Sequence, residues 1–247
     1  MWFQFPRLIW HRSRWPSRSY GKSARGMKIG GWPAAVTMLC AIGAAVAPAI
    51  GYAWATERPI NIVAFGDSLT AGYGLPANEA FPVQLQRALA AKGLAVNVVN
   101  AGVSGDTTTG GLSRLDWSVP DGTDAVILEL GANDALRGLD PDITRKALDT
   151  MLRRLKERRI SVLLCGMMAP PNLGAEYGRA FNSIYPDLAA QYGAILYPFF
   201  LTGVAADPKL NQRDGLHPTA AGVAVIVDRI LPEVEQLIIH AKAAEKP

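Results

Sequence analysis

Cysteine is nearly missing from this chain: of two residues, Cys40 lies in the first quarter, leaving Cys165 alone in the rest. A disulfide framework within the remaining chain is therefore excluded, and Cys165, set in an apolar run, reads as a buried structural thiol. Acidic residues are absent before Glu57, and the first 55 residues contain no Arg-Arg pair. Histidine is scarce too, with only His217 and His240 beyond His11. No phosphate-loop glycine motif is present, and no internal repeat or low-complexity linker follows residue 59.

What fills the first 55 residues is a run of basic residues from Arg7 to Lys28, an apolar stretch from Trp32 to Ile50, and then Ala53-Trp54-Ala55. Charged, apolar, small-x-small is the order of a secretory signal, with cleavage expected after Ala55. Pro33, Pro48 and several glycines interrupt the apolar stretch and no basic stop-transfer cluster follows, so a retained membrane anchor is disfavoured. The basic segment before Met27 is long for such a signal, and translation is expected to start at Met27. A general secretory route is preferred to a twin-arginine one.

Removing the leader reverses the charge. Seven of the 25 Lys and Arg lie in it, leaving 18 against 21 Asp and Glu, a net of −3. The mature part gives no electrostatic reason to expect nucleic acid or anionic lipid as a partner.

From Pro59 onward, short apolar runs alternate with helical patterns, which predicts a single α/β domain with a parallel sheet and helices on both faces. Five strands are expected: Ile60 to Phe65, Val96 to Asn100, Ala125 to Leu130 (interrupted only by Glu129), Ser161 to Gly166 and Ala194 to Pro198. Asn78 is expected to cap a helix carrying Phe81, Leu85 and Leu89. Asp140-Pro141 should open another with Ile143, Ala147, Met151, Leu152 and Leu155 on its apolar stripe. Its basic end, Arg153 to Arg159, reads as a solvated helix C-terminus. A further helix is expected from about Arg179 to Tyr192, and Pro218 should start the last one, running toward His240.

Three polar glycine turns follow predicted strands: Gly66-Asp67-Ser68-Leu69, Ser104-Gly105-Asp106-Thr107 and Gly131-Ala132-Asn133-Asp134. In a parallel sheet all strand ends share one edge, so Ser68, Gly105 and Asn133 must approach one another there. Serine nucleophilic chemistry needs a hydroxyl, a base, a group that orients the base, and donors for the oxyanion. His217 is the credible base, because His240 sits at the end of the last helix. Asp214, three residues before His217, can hold the far ring nitrogen. Gly105 lets a backbone N–H come close to a substrate oxygen, and Asn133 offers a side-chain NH₂. Taken singly, an Asp-Gly turn, a turn glycine and a capping Asn are the ordinary readings of these residues; their convergence favours a site.

These three turns and Asp214-Gly215-Leu216-His217-Pro218 resemble the four signature blocks of the GDSL (SGNH) hydrolases, over about residues 60 to 232. The chain is most similar to the secreted thioesterase I, lysophospholipase and arylesterase subgroup. The resemblance implies a three-layer α/β/α sandwich of flavodoxin-like topology, with Ser68 as nucleophile, His217 as base and Asp214 as its orienting acid. It also implies an oxyanion hole from the Ser68 and Gly105 N–H groups and the Asn133 side chain. No cofactor or metal is called for. The expected partner is a small ester or lipid substrate, met as a monomer in the periplasm or outside the cell, with no membrane span after processing.

Two features depart from or qualify the pattern. Ala132 stands where glycine is usual and is expected to narrow the backbone there, while Asp67, beside the serine, is assigned a turn-stabilising role. No Gly-x-Ser-x-Gly elbow is present, which disfavours the α/β-hydrolase fold. The breaker-rich segment Met167 to Gly178 is expected to line the acyl chain, with Leu173 as the contact residue. A carbohydrate O-acetyl esterase, and a non-catalytic flavodoxin-like binding module, are the alternatives.

Overall fold

The computed structural model describes residues 58–244. The leader, its cleavage after Ala55 and the start at Met27 lie outside the described residues.

The elements in order are β1 (Ile60–Gly66), α1 (Ser68–Ala71), α2 (Phe81–Ala91), β2 (Val96–Gly102), α3 (Thr108–Ser118), β3 (Ala125–Glu129) and α4 (Ala132–Leu136). They continue with α5 (Pro141–Glu157), β4 (Ser161–Cys165), α6 (Ala175–Asn182), α7 (Ile184–Tyr192), β5 (Ile195–Tyr197) and α8 (Ala220–Ala244). The five strands form one parallel sheet in the order β2-β1-β3-β4-β5, the expected flavodoxin-like topology. Helices α2 and α8 pack together on one face, and α3, α5 and α7 on the other.

Burial on both faces explains the strand compositions. β3 is buried throughout, and β1 at all positions except Asn61. Phe65, Leu128 and Leu164 lie side by side across β1, β3 and β4 and are fully enclosed. The sheet edges are handled differently: β2 carries Asn97 and Asn100 and is largely exposed, while β5 is only three residues long. Cys165 is buried and unpaired, and desolvation pushes its thiol well above the ordinary range, in keeping with an inert structural role.

Several local expectations are corrected. Asn78 lies in a 3₁₀ turn, Ala77–Glu79, and does not cap α2; that helix begins after Ala80, which makes no side-chain cap bond, and has Pro82 in its first turn. Asp140 does cap α5, accepting from the Asp142 N–H. Ile143, however, faces solvent, and Thr144 and Leu148 take the buried positions. The helix expected from Arg179 to Tyr192 starts earlier and breaks at Ser183 into α6 and α7. The last helix starts two residues beyond Pro218, which forms an isolated bridge with Asn211; the Thr219 hydroxyl accepts from the Gly222 N–H instead.

Candidate active site

β1 runs into α1 through Asp67, whose carboxylate accepts the Leu69 N–H at 3.0 Å and caps the short helix. Ser68 is thus the first helical residue at the carboxyl end of β1, beside the crevice where strand order reverses between β1 and β3. Its Oγ lies 2.9 Å from His217 Nε2, and His217 Nδ1 lies 2.7 Å from Asp214 Oδ2. Ser68 and His217 are 149 positions apart in the chain.

The loop carrying His217 is held by its own backbone and by the opposite rim. Asp214 Oδ1 accepts the N–H groups of Leu216 and His217 at 2.9 and 3.0 Å, closing a tight turn. The Gln212 N–H donates to the His217 carbonyl at 2.7 Å, and its side-chain amide donates to the Tyr73 carbonyl at 2.7 Å. The Tyr73 ring lies against the imidazole, with centroids 4.5 Å apart. The backbone N–H of His217 above all, then that of Leu216 and the His217 ring, hold Asp214 down to about 2. It therefore stays an anion, available to the ring, at any pH well above about 2.

Asn133 opens toward the same place from the end of β3. Its Nδ2 donates to Asp67 Oδ2 at 3.1 Å and to the Asp106 carbonyl at 2.9 Å, so one amide group ties the β1, β2 and β3 turns together. Gly105 precedes that carbonyl and has φ +85°, and a Cβ there would meet only the Arg137 guanidinium, at 3.9 Å. Ala132 occupies an ordinary helical position; the positive φ, +120°, falls on Gly131, where a Cβ would meet the Tyr185 hydroxyl. The alanine therefore does not narrow the turn and instead contributes to the cleft wall.

Asp67 does more than the turn-stabilising role read from the sequence. It is fully buried, and desolvation pushes it up to about 6 even though the Leu69 N–H and Asn133 oppose the rise. A carboxyl raised from 3.8 to about 6 binds its proton more tightly in the folded chain, so its stabilising contribution is complete below 3.8 and is lost as pH rises through about 6. Asp67→Asn removes that dependence. In urea unfolding, the stability of Asp67→Asn relative to the wild type is expected to rise between pH 4 and pH 7.5 by on the order of 2 kcal/mol. A difference that does not change with pH would overturn the role assigned to burial.

Two supporting residues gave no readable signal in the sequence. Arg114, nearly buried on α3, donates to Asp106 Oδ2 and to the carbonyls of Ala101 and Gly66, and lies over the Phe65 ring. Asp134 accepts from the Thr108 N–H and hydroxyl and from Thr144. Only the partners, far off in sequence, reveal these roles. In the basic run that ends α5, Arg153, Arg154 and Arg158 are engaged with Glu157, Asp116 and Asp121.

Ser68, Asn133 and His217 border a cleft of about 260 Å³, otherwise lined by apolar side chains that include Met167, Met168, Pro170, Phe199, Leu201 and Leu216. Leu136, Met168 and Leu216 are about half exposed, so one side of the cleft is open. Leu173 is not part of the lining; it sits in a 3₁₀ turn (Pro171–Leu173), with its side chain toward Gly138. His240 is also remote, at the opposite edge of the sheet, near Lys156 and Tyr192. Among the described residues no cluster of His, Cys, Asp and Glu could hold a metal ion.

Comparison with known proteins identifies the family. The model of the GDSL-like lipase/acylhydrolase family matches residues 64–225. Esterase TesA of Pseudomonas aeruginosa is 38% identical over 179 residues, covering 72% of this chain and 89% of that protein. Thioesterase 1/protease 1/lysophospholipase L1 of Escherichia coli is 37% identical over 181 residues, covering 73% and 86%. The crystal structure of AlinE4, an SGNH-hydrolase family esterase, is similar with a TM-score of 0.62 at 49% identity, over 72% of this chain and 96% of that one. A matching family model, curated relatives at this identity and a shared fold leave one conclusion: the chain belongs to the GDSL-like lipase/acylhydrolase family and is a serine esterase of the SGNH-hydrolase fold.

Proposed function

We propose that Ser68 is the nucleophile, His217 the general base and Asp214 the acid that orients it. The observation carrying this reading is the continuous contact from Asp214 through His217 to Ser68 at the mouth of an apolar cleft. As Ser68 Oγ attacks the ester carbonyl, its proton passes to His217 Nε2, and the resulting imidazolium is stabilised by the Asp214 anion. The oxyanion is held by the N–H groups of Ser68 and Gly105 and by the Asn133 amide. His217 then gives its proton to the leaving alcohol. The acyl-enzyme is cleared by a water molecule that His217 activates in turn.

The cleft supports a small-to-medium acyl group. Its volume, about 260 Å³, lies just below the roughly 300–1,000 Å³ of ordinary small-molecule pockets. Its lining is apolar, which suits an acyl chain and opposes the polar, shallow site that an acetylated carbohydrate would need. Aryl esters, lysophospholipids and acyl thioesters share the required acyl half. The leader pattern supports action in the periplasm or outside the cell, on esters rather than on acyl-CoA. Among the described residues, no helix is long and apolar enough to cross a membrane.

A fluorophosphonate should label the protein once, at Ser68, as read by peptide mass spectrometry. Over p-nitrophenyl esters, kcat/KM should rise from acetyl to a short-to-medium acyl group and fall again at palmitoyl. Failure to label Ser68 would remove the nucleophile assignment; a preference for acetylated sugars over every acyl ester would remove the substrate assignment.

A further inference from the structure

One charged residue interrupts the apolar run of the central strand, and the reaction described above does not use it. Glu129 ends β3, is fully buried, and lies in register with Gly66 of β1 and Cys165 of β4. Its Oε2 accepts the Thr70 hydroxyl at 2.7 Å and the Asp67 N–H at 3.3 Å. Gly66 makes room for this reach: a Cβ there would overlap both Thr70 Oγ1 and Glu129 Oε2. An acid carried by β3 is thereby inserted beneath β1 and bonded to both sides of Ser68. Leu69, the remaining neighbour, is tied by its N–H to Asp67. The other oxygen, Oε1, is buried with no hydrogen-bond partner, an arrangement that an apolar residue at this position would avoid.

We propose that Glu129 is a positioning residue for ester hydrolysis: its carboxyl clamps the turn from Asp67 to Thr70 from below and thereby fixes the direction of the Ser68 hydroxyl and N–H. This rests on the reading of Ser68 as nucleophile. Reaction geometry in such sites is set to within fractions of an ångström, and a displacement of about 1 Å can cost about 10²-fold in rate. The turn is only one helical turn long, so it has few internal bonds with which to hold that position unaided. Burial raises the Glu129 carboxyl well above the ordinary range, so glutamine is the close neutral replacement.

The test compares Glu129→Ala and Glu129→Gln with the wild type on p-nitrophenyl butyrate, with active sites counted by fluorophosphonate titration. Glu129→Ala should lose about 10²-fold in kcat per active site with KM within about 2-fold, and Glu129→Gln should stay within about 3-fold of wild type. Wild-type kcat in Glu129→Ala, or a Glu129→Gln enzyme as slow as Glu129→Ala, overturns the proposal. Where Glu129→Ala does not fold, Thr70→Val decides: it removes the clamped hydroxyl and should lower kcat about 10-fold at unchanged KM, and an unchanged kcat overturns the proposal. A wild-type enzyme that is not labelled at Ser68 overturns the nucleophile reading itself. A labelled wild type with full activity in Glu129→Ala overturns the clamp alone.

Discussion

Alanine at Ser68 or at His217 is expected to lower kcat by about 10⁴- to 10⁶-fold, equivalent to about 5 to 8 kcal/mol of transition-state stabilisation. The loss is large because the two groups work as one. Without the imidazole 2.9 Å away the hydroxyl is a poor nucleophile, and without the hydroxyl the imidazole has no proton to move. The double variant should consequently be no slower than either single one. Asp214→Asn keeps an oxygen for the Leu216 and His217 N–H groups but presents an NH₂ to Nδ1, favouring the wrong tautomer. Its loss should be smaller than that of the alanine variants, because Asp214 is partly exposed and water can stand in for some of its effect. Steady-state kcat on a p-nitrophenyl ester, with fold checked by circular dichroism, measures all four variants. Losses in the two single alanine variants that multiply in the double variant would contradict the shared role.

Asn133→Ala should cost about 10²–10³-fold in kcat, with a much smaller change in KM. The amide is already committed to Asp67 and Asp106 before any substrate arrives. Its orientation therefore needs no reorganisation during the reaction, and that is the condition under which a hydrogen bond to a developing oxyanion contributes most. The engaged hydrogens also make a specific demand: the oxyanion must share one of them with its present acceptor, Asp67 or the Asp106 carbonyl. If Asn133→Ala retains wild-type kcat, the amide is only a brace between turns and the oxyanion is held by backbone N–H groups alone.

The strands and the turns that follow them were legible because a buried parallel strand is a short apolar run and its polar glycine turn breaks that run sharply. That sufficed to bring Ser68, Gly105 and Asn133 to one sheet edge, while His217 was singled out by the scarcity of histidine. α3 was not legible: Gly110 and Gly111 and a mixed face give it a weak helical pattern. It forms because Thr107 caps it and Asp134, from α4, takes the Thr108 N–H and hydroxyl. Thr144 shows the same limit on α5, where a hydroxyl partnered by Asp134 is buried at the place an apolar stripe assigns to its neighbour Ile143. Polar contacts between distant segments leave no periodic trace. Glu129 was visible only as an interruption, and Arg114 not at all, since what each one does depends on carbonyls and amides brought near it by folding.

The imidazole and its carboxylate partner ride on a single short bend, three residues apart, pinned to the opposite rim by Gln212. They therefore travel together. Slackening that pin would carry the pair away from the serine as an intact cassette, so activity could be switched off through one distance while every bond inside the bend stayed in place.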